Sequence, residues 1–184
     1  MGTKTLPGEY FSSPDIYQRE TREIFRKKWI CVGRESSIPH SGDYFLHEVD
    51  GENLILVRNH QSQVNCFYNV CRHRGTRMCE HPSGHFKKRI QCPYHAWAYD
   101  LQGELKAAPN MTEVDSFDVK DFSLQAVHCV VWQGFVLVNL DPDCKSFESS
   151  HSEIRSRFDD WGLENLAVAH QITYDLQANW KIIF

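Results

Sequence analysis

Cys71-Arg72-His73 and, after a gap of 18 residues, Cys92-Pro93-Tyr94-His95 are the two stretches on which the reading of this chain turns. Each offers one thiolate and one imidazole. Two Cys and two His suit either a zinc ion or a dinuclear iron–sulfur cluster in which two His replace two Cys on one of the irons. Zinc fingers pair like ligands within one turn, whereas each turn here mixes Cys with His. That mixing is what a dinuclear cluster needs, because each loop can send its Cys to one iron and its His to the other. The single residue between Cys71 and His73 lets successive side chains diverge toward two metals. Gly75 and Pro93 suit loops whose backbone N–H groups must approach bridging sulfides. A zinc site and four unrelated polar or core side chains are the competing readings.

Outward from these loops the pattern is mostly strand. Tyr44 to Val49, Asn53 to Arg58 and Val64 to Asn69 alternate with period two, and Asp50-Gly51 is a strong hairpin turn between the first pair. Trp97 to Tyr99 and Glu104 to Lys106 flank another turn, while Leu124 to Trp132 and Phe135 to Asn139 meet at Gln133-Gly134. The strands carrying the two loops are expected to be neighbours in one small sheet, and Val70 to Gln91 reads as loop. Toward the N-terminus, Ser13 caps a helix with Pro14 at its first position, and apolar spacing continues the helix to Lys28. A strand from Trp29 to Val32 follows, stopped by Gly33. Toward the C-terminus, Ser146 to Trp161 has helical spacing and Ala167 to Leu176 reads as one more strand.

The chain has 184 residues, 20 Lys+Arg against 24 Asp+Glu and a formal charge of −4, which argues against a nucleic-acid binder working through global basicity. No apolar run approaches the ~18 residues of a membrane span, and Met1 to Asp15 lacks a secretory signal pattern. A cytoplasmic protein is expected, one in which seven cysteines are more often ligands or nucleophiles than bridges. The ending Asn179-Trp180-Lys181-Ile182-Ile183-Phe184 breaks off in mid-pattern, as the front part of a longer protein would.

The stretches NVCRHRGTRMCE (69–80), QCPYHAWAYDLQGEL (91–105) and WQGFVLVNLDPD (132–143) resemble the N-terminal half of the α subunits of Rieske non-haem iron oxygenases. That family includes aromatic-ring hydroxylases and relatives that demethylate betaine-like or carnitine-like compounds. The TLPGEYFSSPDIY opening (5–17) leans toward the latter. The resemblance runs from the helix to the final Asn-Trp-Lys and implies an α+β chain in three parts. Residues 1–37 would be a helix and strand packing on the catalytic domain. Residues 38–145 would be a mostly antiparallel β Rieske domain, and residues 146–184 the truncated beginning of an α+β helix-grip catalytic domain. It implies that Cys71, His73, Cys92 and His95 hold a 2Fe-2S cluster. The cluster would take electrons from a ferredoxin or an NAD(P)H-linked reductase and pass them to a mononuclear non-haem Fe(II). The outcome would be mono- or dioxygenation, with a place in aromatic hydrocarbon catabolism on the ring-hydroxylating side. It also implies a homotrimer, with no nucleic-acid or membrane partner. The gap between the loops is about one residue longer than the commonest form, which bears on the intervening loop rather than on the ligands. Where respiratory Rieske proteins carry a disulfide between the loops and a Ser bonded to the cluster, this chain has Thr76, Tyr94 and Trp97. Fewer hydrogen bonds to sulfur imply a lower potential.

The iron-binding triad of that family belongs beyond this chain, so no catalytic residue is expected within it. His151, Glu153 and His170 have the residue types of a triad but unremarkable spacing, and His81 and His85 are expected in a loop. Cys79 is expected to pack, as are Cys31, Cys66 and Cys129, while Cys144 follows a turn. Arg72, Arg74, Arg77, Lys87, Lys88 and Arg89 against Glu80 make a local balance of +5. This is either a solvated face or a basic collar that steers an acidic ferredoxin or reductase to the His edge. A free-standing Rieske ferredoxin would also explain the motif, but not the N-terminal helix or residues 146–184.

Overall fold

The computed structural model describes residues 4–111 and 114–183. A short helix, α1 (Glu9–Ser12), leads into α2 (Pro14–Glu20), whose cap is the expected one: the Ser13 hydroxyl accepts from the Ile16 N–H at 3.5 Å. Instead of continuing to Lys28, the helix widens into a π turn over Thr21–Phe25. That added residue per turn shifts the facing side chains, and Phe25 comes edge-on to Trp180 with centroids 5.4 Å apart.

Among the described residues ten strands follow: β1 (Ile30–Arg34), β2 (Asp43–Val49), β3 (Glu52–Arg58), β4 (Val64–Tyr68), β5 (Ser83–His85), β6 (Ile90–Gln91), β7 (Ala98–Tyr99), β8 (Leu105–Ala107), β9 (His128–Trp132) and β10 (Phe135–Asn139). They form three antiparallel sheets, ordered β1-β10-β9, β4-β3-β2-β5 and β6-β7-β8. Both Asp50-Gly51 and Gln133-Gly134 have positive φ at both positions. That is the turn whose twist matches flanking antiparallel strands.

The core lies on both faces of β3. Leu54, Ile55, Leu56 and Val57 are each 0% exposed. Ile55 and Val57 belong to the cluster containing Cys71, Cys92, Trp97 and Tyr99, while Leu54 and Leu56 belong to the one shared with Val32, Val136 and Val138. Alternation along a single strand thus joins the loop region to the β1-β10-β9 sheet, each fully buried side chain contributing about 1.5–3 kcal/mol.

Several sequence expectations fail for identifiable reasons. Gly33 does not stop β1; a bulge between Cys31 and Gly33 lets the strand continue, and a Cβ on Gly33 would lie 3.0 Å from the Phe45 ring, so the glycine makes room for that ring. The strand expected over Leu124 to Trp132 is divided: Val127 N–H donates to Cys66 O at 2.9 Å and Ala126 bridges Phe67, so this stretch crosses to β4 before β9 begins. Ser83–His85 is an edge strand on β2, not a loop. The helical run after Ser146 is broken into α3 (Phe147–Ser150) and α4 (Ser152–Phe158) at His151, whose φ of −131° is not helical. Ala167 to Leu176 forms no strand; Val168, Ile172 and Tyr174 stand exposed, because a strand needs a partner to satisfy its backbone.

The flanking segments close on each other. Lys181 Nζ lies 2.6 Å from one Glu20 carboxylate oxygen, and Trp180 Nε1 donates to the other at 2.9 Å. The Lys181 hydrogen bond, opposed by burial and joined by Trp180, holds the Glu20 carboxyl below its ordinary range. Buried Arg34 donates to Gln133 O, Leu163 O and Leu166 O, and Trp29 Nε1 donates to Lys145 O.

Gly42 is the tightest backbone approach: its φ is +95°, and a Cβ there would collide with the carbonyl oxygen of Phe86. Gly42→Ala should lower unfolding free energy by about 1–3 kcal/mol from backbone strain alone, with the clash adding to it; denaturant titration of the two proteins measures the loss.

Candidate metal centre

The two ligand loops are backbone twins. Cys71 N–H donates to Thr76 O (2.8 Å) and Gly75 N–H to Cys71 O (2.9 Å); Cys92 N–H donates to Trp97 O (2.8 Å) and Ala96 N–H to Cys92 O (3.1 Å). The residue four after each Cys is left-handed, Gly75 at φ 72° and Ala96 at φ 59°. Each loop also hangs from a pairing at the same offset, Val70 with Arg77 and Gln91 with Ala98. The carrying strands are not neighbours in one sheet, contrary to expectation. The first loop follows β4, and the second is the tip between β6 and β7. Packing of separate sheets, not pairing, brings them together.

All four side chains converge at this junction. Cys71 and Cys92 are 2% and 3% exposed, while His73 and His95 are half-buried with ring centroids 4.7 Å apart. The thiols therefore lie inward and the imidazoles toward solvent. Trp97, 1% exposed, stacks on His73 at 4.7 Å and 11° and meets Phe117 and Phe122 edge-on, so it is packing beneath the loops. Tyr94 is exposed and lies 3.7 Å from the His95 ring centre. Buried His73 Nδ1 has no hydrogen-bond partner among the described residues, the condition of a nitrogen reserved for a metal.

Electrostatics at the site follow from burial. Desolvation pushes the Cys71 thiol up; the Tyr99 hydroxyl opposes this and the adjacent Cys92 thiol adds to it. Desolvation pulls His73 down, helped by His95 and Arg74. Both shifts keep the free groups neutral, and a bound cation would reverse the thiol preference.

Two functional residues escape sequence reading. Asn69, 1% exposed, uses its whole amide: Nδ2 donates to Asn53 Oδ1 and Cys79 O, and Oδ1 accepts from the N–H groups of Met78 and Cys79. It pins both ends of the first loop. Tyr99 lies with its oxygen 3.5 Å from Cys71 Sγ and accepts from the Arg72 N–H at 3.2 Å. Burial pushes its pKa up, so the phenol stays protonated and can donate to a sulfur that has lost its own proton. Ala96 had a detectable signal, since it occupies the place in its loop that Gly75 occupies in the first; Asn69 and Tyr99 had none.

Of the other cysteines, Cys31, expected to pack, is exposed, whereas Cys66 is buried and Cys129 and Cys144 are half-buried. Cys79 is buried, with its thiol pushed up to about 11 by desolvation, and is packing. His85 is strapped to Asp43 (Nδ1 to Oδ1, 2.8 Å) on the edge strand. His151 stacks on Phe147, whereas His170 sits on the exposed stretch after Leu166, so they do not gather with Glu153. Among the described residues no three His, Cys, Asp or Glu converge as they would on one metal ion. A dinuclear cluster asks only two protein ligands of each iron.

Comparison with known proteins agrees with this geometry. Residues 28–118 match the Rieske [2Fe-2S] domain. Over that stretch the chain carries a Rieske domain, and it is homologous to oxygenase subunits of Rieske non-haem iron monooxygenases. It is 35% identical over 181 residues to the carnitine monooxygenase oxygenase subunit of Acinetobacter pittii, covering 97% of this chain and 48% of that protein. It is 33% identical to the glycine betaine monooxygenase oxygenase subunit of Chromohalobacter salexigens, covering 100% of this chain and 41% of the relative. The structure of the quaternary ammonium Rieske monooxygenase CntA with substrate L-carnitine superposes with a TM-score of 0.90 at 34% identity, over 97% of this chain and 51% of that one. The chain thus spans about half the length of the relatives it matches. These relatives give no support to aromatic hydrocarbon catabolism. No helix among the described residues is long and apolar enough to cross a membrane.

Proposed function

We propose that this chain is the electron-accepting portion of a monooxygenase oxygenase subunit. In it Cys71 and Cys92 would hold the buried iron of a 2Fe-2S cluster, and His73 and His95 the outer one. The observation that carries the assignment is the pair of twin loops, which present two thiols inward and two imidazoles outward at one junction. When bound, the cluster supplies a one-electron carrier at a potential set by its ligands and the hydrogen bonds to its sulfurs. The chain's own part is mechanical and electrostatic. Asn69 fixes the first loop, Trp97 braces the His73 ring, Tyr99 donates to the Cys71 sulfur, and the half-buried imidazoles form the edge through which electrons enter and leave.

The division into 1–37, 38–145 and 146–184 belongs to the same proposal. Supporting it, all four ligands fall in the middle part, and the outer parts contact each other through Glu20 with Lys181 and Trp180, and through Arg34 with Leu163 and Leu166. Strand β1 joins the middle part by pairing with β10. An electron donor fed by NAD(P)H, delivery to a mononuclear Fe(II) carried by the rest of the protein, a homotrimeric assembly and a cytoplasmic setting complete the reading. Similarity to oxygenase subunits through residues 146–184 favours it over a free-standing ferredoxin.

Purified anaerobically, the protein should be red-brown with about two iron and two labile sulfides per chain, and Cys92→Ala should lose both. A colourless protein with one zinc, or a coloured Cys92→Ala variant, would overturn the ligand set. Tyr99→Phe should keep the cluster but lower its potential by about 20–65 mV, the one-electron equivalent of one ordinary hydrogen bond; redox titration with optical detection checks it. For substrate, the reading supported by the relatives' names is a quaternary ammonium compound of the carnitine or betaine kind. Oxygen uptake by the whole oxygenase with its reductase should be stimulated by such a compound and not by an aromatic hydrocarbon.

A further inference from the structure

Five cations lie on or next in sequence to the ligand loops: Arg72 and Arg74 on the first loop, and Lys87, Lys88 and Arg89 on the turn between β5 and β6 that leads into the second. All five are exposed, and among the described residues none is ion-paired. The 87–89 turn is held at both ends. Before it, Phe86 N–H donates to Gly42 O at 2.8 Å, the Phe86 ring stacks on Tyr44 at 4.3 Å, and His85 is tied to Asp43. After it, Ile90 is fully buried, and β6 runs directly into Cys92. Three positive charges are therefore presented on a fixed backbone three to five residues before Cys92. Tyr94, 62% exposed, supplies an apolar surface against the His95 ring. An apolar centre with an unpaired cationic rim is the surface expected of a site that attracts its partner through charge and releases it readily.

We propose that the Lys87–Arg89 turn, with Arg72, Arg74 and Tyr94, is the docking surface for an electron-transfer protein whose own cofactor is ringed by carboxylates. The proposal rests on the cluster reading above for its redox step: one electron leaves the reduced donor, which is oxidised, and reduces the cluster by one. Charge favours this partner, since the surface gathers cations in a chain whose total is −4. The fixed turn lowers the ordering cost of binding.

The test uses the holoprotein and an acidic plant-type [2Fe-2S] ferredoxin as probe. Titration calorimetry with the oxidised probe reads binding without electron transfer, and stopped-flow mixing with the reduced probe reads transfer. K87E/K88E/R89E should weaken binding at low salt by about tenfold or more and flatten the steep salt dependence of the wild type. Its visible spectrum and its reduction by dithionite should stay unchanged, and K87R/K88R/R89K should retain wild-type affinity. Unchanged affinity and salt slope in the charge-reversal variant would overturn the proposal. So would unchanged affinity with altered sedimentation, which would assign the turn to contact with a second copy. A colourless wild-type protein that still binds the probe through this turn would sink the cluster reading while sustaining the docking surface.

Discussion

Burial of both faces of β3 is the constraint on which the rest of the molecule depends. A strand in an antiparallel sheet commonly leaves one face to water, and then alternates apolar with polar residues. Here Leu54 to Val57 is an unbroken apolar run, and alternation decides only which core each side chain enters. One face supports the ligand loops through Ile55 and Val57. The other carries the β1-β10-β9 sheet, and through Arg34 of β1 reaches Leu163 and Leu166. The loops that hold the chemistry are thereby fixed relative to the segments at both ends of the chain.

On that support the site is built by backbone hydrogen bonding before side chains are considered. Two loops of unrelated sequence, Arg72-His73-Arg74-Gly75 and Pro93-Tyr94-His95-Ala96, close with the same pair of bonds around a Cys and the same left-handed final residue. The imidazole stands two residues after Cys71 in one and three after Cys92 in the other, so the identical frames place the rings at different heights. Ala96 carries the cost of a left-handed conformation that glycine would relieve, and the closed loop maintains it. Tyr99 then couples the loops, its oxygen receiving the Arg72 N–H while lying 3.5 Å from the Cys71 sulfur.

Charge separates from chemistry in an informative way. Inside the site, burial pushes the Cys71 thiol up and pulls His73 down, so both stay neutral in the free protein. The cations collect outside, on Arg72, Arg74 and the anchored 87–89 turn. A carrier needs this arrangement: a low-dielectric interior sets the potential, and an exterior field sets the rate of encounter.

The sequence by itself determined the ligand set to be examined, the hairpins at Asp50-Gly51 and Gln133-Gly134, the Ser13 cap and the resemblance to Rieske oxygenases. These are local properties, written in spacing and in residues with restricted backbone or metal-binding chemistry. Only the tertiary structure decided that the two loops come from different sheets, that Gly33 lies within a strand to admit the Phe45 ring, that Leu124 to Val127 crosses to β4, and that Asn69 and Tyr99 hold the site. An asparagine before a Cys or a tyrosine at a strand end carries no periodic signal. Their roles exist only once partners distant in sequence, Asn53 and Cys79 for one and Cys71 for the other, are brought within hydrogen-bonding reach. The stretch from Ala167 to Leu176 shows the converse: its alternation is plain in the sequence, but a strand exists only where another backbone receives its hydrogen bonds.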